Sequence, residues 1–192
     1  NVVVKNRAQV FGYYDHNMLV MSERINDHLP KSKKYSPKQR LWYIRAKEVV
    51  ISSGSIERPL VFGNNDTPGV LLTSAAKEYL KVYGVLVGKK PLIFTNNDSA
   101  YETAIEFKKN GIDPLVLDTR VNPKSEIIDE AKSLNINIKF SYVVIAAKGY
   151  KKVKSAEIAK ISEDKKDLGQ IENINCDCIC VSGFWTPTIH LA

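Results

Sequence analysis

Two short apolar runs in this sequence, PLIFT at 91–95 and PLVL at 114–117, each lead into a stretch of helical periodicity. A third run, INIKF at 136–140, closes the series. Continuous apolar strands of this kind are buried on both faces, and strands separated by helices of about ten residues pair in parallel with the helices packed on the sheet. The spacing predicts β-strand, helix 99–110 closed by Gly111, β-strand, helix 124–134 opened by Asn122-Pro123, and a third β-strand. That pattern predicts for residues 91–140 an α/β fold with a helix-covered parallel sheet, in the layout of a nucleotide-binding βα unit.

The remainder is β-rich. The stretch NVVVKNRAQVFGYYDHNMLVMSERI alternates apolar and polar positions over two or three short strands, and a polar loop, NDHLPKSKKYSPKQ, follows. In RLWYIRAKEVVISSG the first half alternates, whereas Val49-Val50-Ile51 is the continuous run of a strand buried on both faces, stopping at Ser52-Ser53-Gly54. Pro59, Gly63, Pro68 and Gly69 mark a connector, and LLTSAAKEYLKVYG is a helix of about three turns ended by Gly84. A domain boundary is expected between residues 60 and 90. Downstream, YVVIAAKG and KKVKSAEIAKI form a hairpin turning at Lys148-Gly149-Tyr150, and CDCICVSG is a last buried strand.

The turn after the first parallel strand, Thr95-Asn96-Asn97-Asp98-Ser99, contains no glycine. A working phosphate turn uses one glycine for the bend, one for close approach to the pyrophosphate and one for helix packing. Asn96 and Asn97 tolerate the bend and Ala100 suits the packing, but bare backbone against a phosphate is not provided. Ser99-Ala100-Tyr101-Glu102 also fits a capping box, and Asp98 sets a carboxylate at the positive helix end. An anion site filled by the chain's own acids is a poor place for pyrophosphate. Asp118 ends the next strand where a ribose-binding acid sits in the fingerprint, and equally where a turn acid would sit.

Composition excludes several classes. The net charge of +7 is spread over scattered lysines, with local clusters KSKK at 31–34 and KGYKKVK at 148–154, rather than arranged as an aromatic-interleaved nucleic-acid face. No long apolar stretch or leader pattern stands out, so a soluble cytoplasmic protein with no membrane partner is expected. Cys176, Cys178 and Cys180 alternate along a strand, which would put all of them on one face, and the spacing fits buried reduced thiols better than a metal site. His16, His28 and His190 have no nucleophile or carboxylate at triad spacing, so neither a catalytic residue nor a metal ligand is assigned. The absence of CxxC argues against a disulfide reductase. The chain reads as a piece of a longer polypeptide.

Four segments together, FGYYDHNMLVMSER (11–24), RLWYIRAKEVVISSGSIERPLVFGNNDTPGVLLTSAAKEYLKVYGV (40–85), FTNNDSAYETA (94–104) and CDCICVSGFWTPTIHL (176–191), resemble the α subunit of heterotetrameric sarcosine oxidase. The architecture also resembles the cofactor subunits of amine, opine and cyanide-forming glycine oxidases. The resemblance implies two glutathione-reductase-type domains, one inserted in the other. Residues 1–60 would be the tail of a first, NAD-holding domain and 61–84 a connector and helix. Residues 85–165 would be a second, degenerate nucleotide-binding-like domain, and 174–192 the return to the first. The family's N-terminal glycine fingerprint, ferredoxin-like segment and folate-binding domain lie outside this sequence.

By the same resemblance, the intact enzyme demethylates sarcosine to glycine, forms hydrogen peroxide and passes the one-carbon unit to tetrahydrofolate. NAD sits in the α subunit, FAD in a flavin-carrying β subunit, FMN elsewhere in the complex, and further small subunits complete it. Implied cofactor-facing positions are Arg7 and Ala8 on the adenine-side strand, and Ser53 and Gly54, which match the family's Ala-Thr-Gly. Gly183, Trp185, Thr186 and Pro187 match its Ser-Gly-Gly-Trp-Asn-Pro, with Phe184 in place of the second glycine. Trp185 is equally readable as a core anchor, and Arg58-Pro59 as a clamp between domains. Two alternatives remain open: a sister amine, opine or glycine dehydrogenase subunit, and a structural assembly module with a degenerate nucleotide fold.

Overall fold

The computed structural model describes residues 2–29, 36–164 and 166–191, so the KSKK cluster lies outside the described residues. The chain divides into two compact units, Asn1–Ser55 with Pro187–Ala192, and Ile56–Thr186. Strands β1 (Ala8–Tyr14), β2 (Met18–Arg24) and β3 (Gln39–Arg45) form a three-stranded antiparallel sheet in the order β1-β2-β3 in the first unit. The β1–β2 turn is made by residues that accept left-handed backbone, His16 at φ 59° and Asn17 at φ 51°. Tyr13 donates its hydroxyl to Asn17 Oδ1 at 2.7 Å, and Asn17 Nδ2 donates to the Lys47 carbonyl at 2.9 Å.

The expected strand at Val49-Val50-Ile51 does not form. Those residues belong to no strand, and Val50 is 91% exposed. A strand buried on both faces needs hydrogen-bonding neighbours, and among the described residues none runs alongside it.

The second unit contains β4 (Ser55–Arg58), which begins in the first, β5 (Val70–Leu72), α1 (Thr73–Tyr83), β6 (Pro91–Thr95), α2 (Ser99–Lys109), β7 (Leu115–Asp118) and α3 (Glu126–Ser133). Then come β8 (Asn137–Phe140), β9 (Tyr142–Lys148), β10 (Ser155–Lys160), β11 (Glu172–Asn175), β12 (Cys178–Ser182) and β13 (Phe184–Pro187), whose last residue belongs to the first unit. The sheet is parallel and five-stranded, ordered β5-β12-β6-β7-β8.

Alternation along the central strands divides the core into two layers. Ile93, Val116, Cys178 and Cys180 meet Ala76, Ala100, Tyr101, Ala104, Phe107 and Ile128 of the helices. Leu92, Phe94, Leu117, Ile179 and Val181 meet Val144, Ala147, Ala156 and Ile158 of the antiparallel sheet β11-β10-β9. Helices, parallel sheet and antiparallel sheet are therefore three layers, the α/β class that the alternating pattern implies. β4 and β13 pair in a separate two-stranded ribbon.

Local expectations meet mixed fates. Gly84 ends α1 with φ 63°, its N–H bonded to the Leu80 carbonyl, and Gly111 follows α2 with φ 77°. α3 begins at Glu126 after Ser125, not at the Asn122-Pro123 pair, because Ser125 is still fully extended at φ −161° and its carbonyl starts the helical bonding. The cysteines are buried and free, but Cys176 faces the antiparallel layer while Cys178 and Cys180 face the helices. The alternation breaks at Asp177, whose carboxylate turns away to accept the Lys89 and Lys90 amides, each at 2.8 Å.

Candidate functional site: the carboxyl edge of the parallel sheet

In open α/β sheets ligands lodge outside the carboxyl ends of the strands, where the strand order reverses. In the second unit that point is the gap between β6 and β12, bounded by Thr95 and Ser182. Asn97 fills it. Its Nδ2 donates to the Gly183 carbonyl at 2.8 Å, to Ser182 Oγ at 3.1 Å and to the Ser182 carbonyl at 3.3 Å. Its Oδ1 accepts the Ser99 N–H at 3.1 Å and the Ser99 hydroxyl at 2.6 Å.

The first amide of α2 is thus satisfied by Asn97 and not by the Ser99–Glu102 capping box, which does not form. Glu102 instead pairs with Lys77 of α1 at 2.5 Å. A Thr95 hydroxyl accepting the Asn97 N–H at 3.1 Å and donating to its carbonyl at 3.0 Å holds the turn in this shape.

The neighbouring helix end is filled too. Glu57 of β4, 4% exposed, accepts the Ser74 N–H at 2.9 Å on one carboxylate oxygen and the Thr73 hydroxyl on the other. No side chain from α1's own N-cap supplies this contact. A carboxylate from another strand there takes the orphan amide and complements the helix dipole. The sequence signal was faint: Glu57 is one of two acids, with Asp66, in a loop-rich connector.

On the other flank, Asp118 ends β7 fully buried. It accepts the Tyr101 hydroxyl at 2.8 Å, the Arg120 N–H at 2.9 Å, and both Nε and Nη2 of the Arg120 guanidinium, at 3.0 and 2.8 Å. Arg120 reaches on to Asp98 at 2.8 Å. Burial first, and then the Asp118 charge, push the Tyr101 phenol well above its usual range. Burial pulls Arg120 down, but its bonds to Asp118 and Asp98 outweigh that and hold it firmly protonated. Of the two open readings of Asp118, its contacts match the turn acid: its oxygens are engaged by Tyr101 and Arg120. Arg120 and Tyr101 were not singled out in the sequence, since their pairing depends on packing between α2 and β7.

The positions carried over from the family pattern lie as follows. Gly183 donates its N–H to the Arg58 carbonyl at 2.6 Å, and a Cβ there would sit 2.9 Å from that same oxygen. Close backbone packing therefore explains this glycine without a ligand. Trp185 is 42% exposed and donates its indole N–H to Ser99 Oγ at 2.9 Å, which ties β13 to the first turn of α2. It is a half-exposed clamp on the helix end, neither core anchor nor free face. Phe184 is 66% exposed, and Thr186 and Pro187 are exposed beside it on β13.

In the first unit, Ser53 and Gly54 are exposed and hold residue 188: Ser53 donates its hydroxyl to the Thr188 carbonyl, and the Thr188 N–H donates to the Gly54 carbonyl at 2.9 Å. Gly54 has φ 72° and open space where a Cβ would project. Arg7 leads into β1, with Nε donating to the Arg24 carbonyl at 3.3 Å, and Ala8 pairs with Glu23. The carried-over positions therefore fall in separate groups within the two units.

No protein-family profile matches the sequence. The sarcosine oxidase subunit alpha of Rhizobium meliloti (strain 1021) is 36% identical over 193 residues, covering 100% of this chain. That of Corynebacterium sp. (strain P-1) is 34% identical over 189 residues, covering 96%. The whole chain is homologous to one segment of the sarcosine oxidase α subunit. It spans 18% and 19% of the lengths of these relatives. The resemblance read from TNNDSAY and its companion segments stands.

Among solved structures, the thioredoxin reductase of T. acidophilum superposes with a TM-score of 0.61 at 15% identity, covering 80% of this chain and 50% of that one. The enzyme from Lactococcus lactis gives 0.61 at 14%, covering 94% and 54%. These likenesses establish the dinucleotide-binding type of fold. Among the described residues no helix is long and apolar enough to cross a membrane, and no group of His, Cys, Asp and Glu is arranged to hold a metal.

Proposed function

We propose that this chain is a dinucleotide-fold segment of the α subunit of a sarcosine-oxidase-type oxidoreductase, contributing part of an NAD site and carrying no catalytic residue itself. The end-to-end identity of 36% with a subunit of that name supports the family assignment. The intact enzyme would demethylate sarcosine to glycine with tetrahydrofolate as one-carbon acceptor and release hydrogen peroxide. A flavin-carrying β subunit would hold FAD and do the amine chemistry, FMN would serve elsewhere in the complex, and the assembly would work in the cytoplasm.

The observation that carries the NAD assignment is Asn97. With its amide bonded to Ser182 and Gly183 and its oxygen on Ser99, Asn97 itself takes the first α2 amide that a pyrophosphate would need in the crevice of the second unit. Residues 85–165 then act as a degenerate nucleotide-fold domain. The cofactor belongs to a first domain formed from residues 1–60 and 174–192, with 61–84 connecting. There the exposed Ser53-Gly54 turn, with open space beside Gly54, fits close approach by a dinucleotide. Arg7 and Ala8 would face its adenine side, and Trp185, Thr186 and Pro187 the nicotinamide side. Gly183 is retained in that set from the family pattern, although its packing against Arg58 is sufficient reason for a glycine.

Calorimetric titration of NAD against this chain and against a longer chain carrying a glycine-rich fingerprint ahead of residue 1 tests the reading. Binding to the longer chain that survives Asn97→Ala supports it. Binding abolished by Asn97→Ala would move the site to the second unit. The filled crevice also favours a second reading, a structural assembly module, which predicts no NAD binding by either chain.

A further inference from the structure

The opposite edge of the same sheet is built differently. Lys89 and Lys90 immediately precede β6, and Asp177 immediately precedes β12, with its carboxylate on their amides. The β9–β10 hairpin loop reaches this edge as well. The Val153 N–H donates to the Pro68 carbonyl at 2.9 Å beside β5, and the Cys176 N–H donates to the Lys154 carbonyl at 3.3 Å. Lys89, Lys90, Lys148, Lys151, Lys152 and Lys154 are consequently gathered at the amino ends of the parallel strands, all of them exposed.

Among the described residues only Lys148 of this group has a carboxylate partner, Glu157 at 2.9 Å. The lysines of the helix layer contrast with this: Lys77, Lys81, Lys109 and Lys132 each pair with a glutamate or aspartate. Asp177 is engaged by the Lys89 and Lys90 backbone amides rather than by a lysine side chain. At the tip of the hairpin stands Tyr150, 93% exposed, presented by Gly149 at φ 147°.

We propose that this amino edge is a docking surface for a carboxylate-rich face of a protein partner, with Tyr150 as its aromatic anchor. The proposal deepens the reading above, in which the chain works within a multi-subunit enzyme. Unpaired charges of one sign, held at fixed positions by a clamped loop and a hairpin, attract and orient a complementary surface without the desolvation cost of a buried pair. A lone exposed tyrosine among them supplies contact area with little side-chain entropy to lose. The chemistry favours carboxylates over nucleic acid. The cluster has no arginine, the side chain suited to forked phosphate contacts, and no interleaved aromatic series on which bases could stack.

Fluorescence anisotropy of labelled poly-L-glutamate tests this on the whole chain, with duplex DNA and phosphatidylserine-containing vesicles as parallel probes. The triple variant Lys151→Ser, Lys152→Ser, Lys154→Ser removes edge charge, and Lys77→Ser, Lys81→Ser, Lys109→Ser removes the same charge from the helix layer. Poly-L-glutamate should bind at low ionic strength and weaken about tenfold in the edge variant, but within about twofold in the helix variant. Tyr150→Ala should weaken binding further at unchanged charge. Equal loss in both triple variants would reduce the effect to net charge and overturn the proposal, as would no binding at all. DNA or vesicles still held at a physiological salt that releases poly-L-glutamate would assign the surface to another class of partner. None of these outcomes involves NAD, so the docking proposal and the cofactor reading fail separately.

Discussion

The two edges of one parallel sheet use polar side chains in opposite ways. At the carboxyl edge Asn97, Glu57, Asp118 and Arg120 turn inward and bond to the chain itself. At the amino edge Lys89, Lys90, Lys151, Lys152 and Lys154 point out with no such partners among the described residues. The fold conventionally offers its carboxyl edge to ligands. Here the Ser74 and Ser99 amides and the Ser182 and Gly183 carbonyls are bonded to side chains of the chain itself, so the edge contributes rigidity. Those exposed lysines without a carboxylate partner lie at the far end.

The contrast can be broken most forcefully at Asp118. Asp118→Ala would leave the Arg120 guanidinium and the Tyr101 hydroxyl without their buried partner, and should cost about 3–5 kcal/mol in denaturant unfolding. A loss below about 1 kcal/mol would mean the carboxyl edge is not the rigid one. Asn97→Ala should cost about 1–3 kcal/mol, since the Ser182 and Gly183 carbonyls and the Ser99 amide lose a shared partner.

Alkaline pH probes the core beneath both edges. Burial, reinforced by Cys178 and Asp177, pushes the Cys176 thiol up to about 12, and a bond to Cys178 together with burial raises Cys180 well above its usual range. The folded state therefore holds these protons more tightly than the unfolded chain. Stability should be intact below about pH 8.5 and fall as pH rises toward 12, by up to about 1.4 kcal/mol per pH unit for each such group. Urea midpoints measured across that range, with Cys176→Ala flattening the fall, check the sign.

Smaller effects follow. Glu57→Gln keeps the size but removes the charge at the start of α1, and should lower stability by about 0.5–1 kcal/mol in thermal unfolding. At the amino edge Lys152→Ser should alter stability by no more than about 0.5 kcal/mol. A larger loss there would give the amino edge a structural role like that of its counterpart.

What was legible in the sequence followed from period and punctuation. Continuous apolar runs at PLIFT and CICV gave buried parallel strands, and Gly84 and Gly111 marked helix ends, because these signals are local. Val49–Ile51 carried the same kind of signal and failed, because an apolar run specifies burial only where neighbours exist to bury it. Ser99 and Glu102 had the right spacing for a capping box, but Asn97 takes the Ser99 amide and Lys77 takes the Glu102 carboxylate. The pairing of Glu57 with α1 joins residues across a loop, and that of Arg120 with Asp98 crosses between neighbouring strands. Neither leaves a periodic trace in the sequence.

One small element has a wider consequence. β5 is only three residues long and pairs on one side alone, with β12. The border it offers to another molecule is too brief to template a growing ladder, and the helix α1 follows at once. A border of that kind resists recruitment into edge-to-edge aggregates, so crowded solutions of this protein should stay free of fibrils seeded from the β5 side of the parallel sheet.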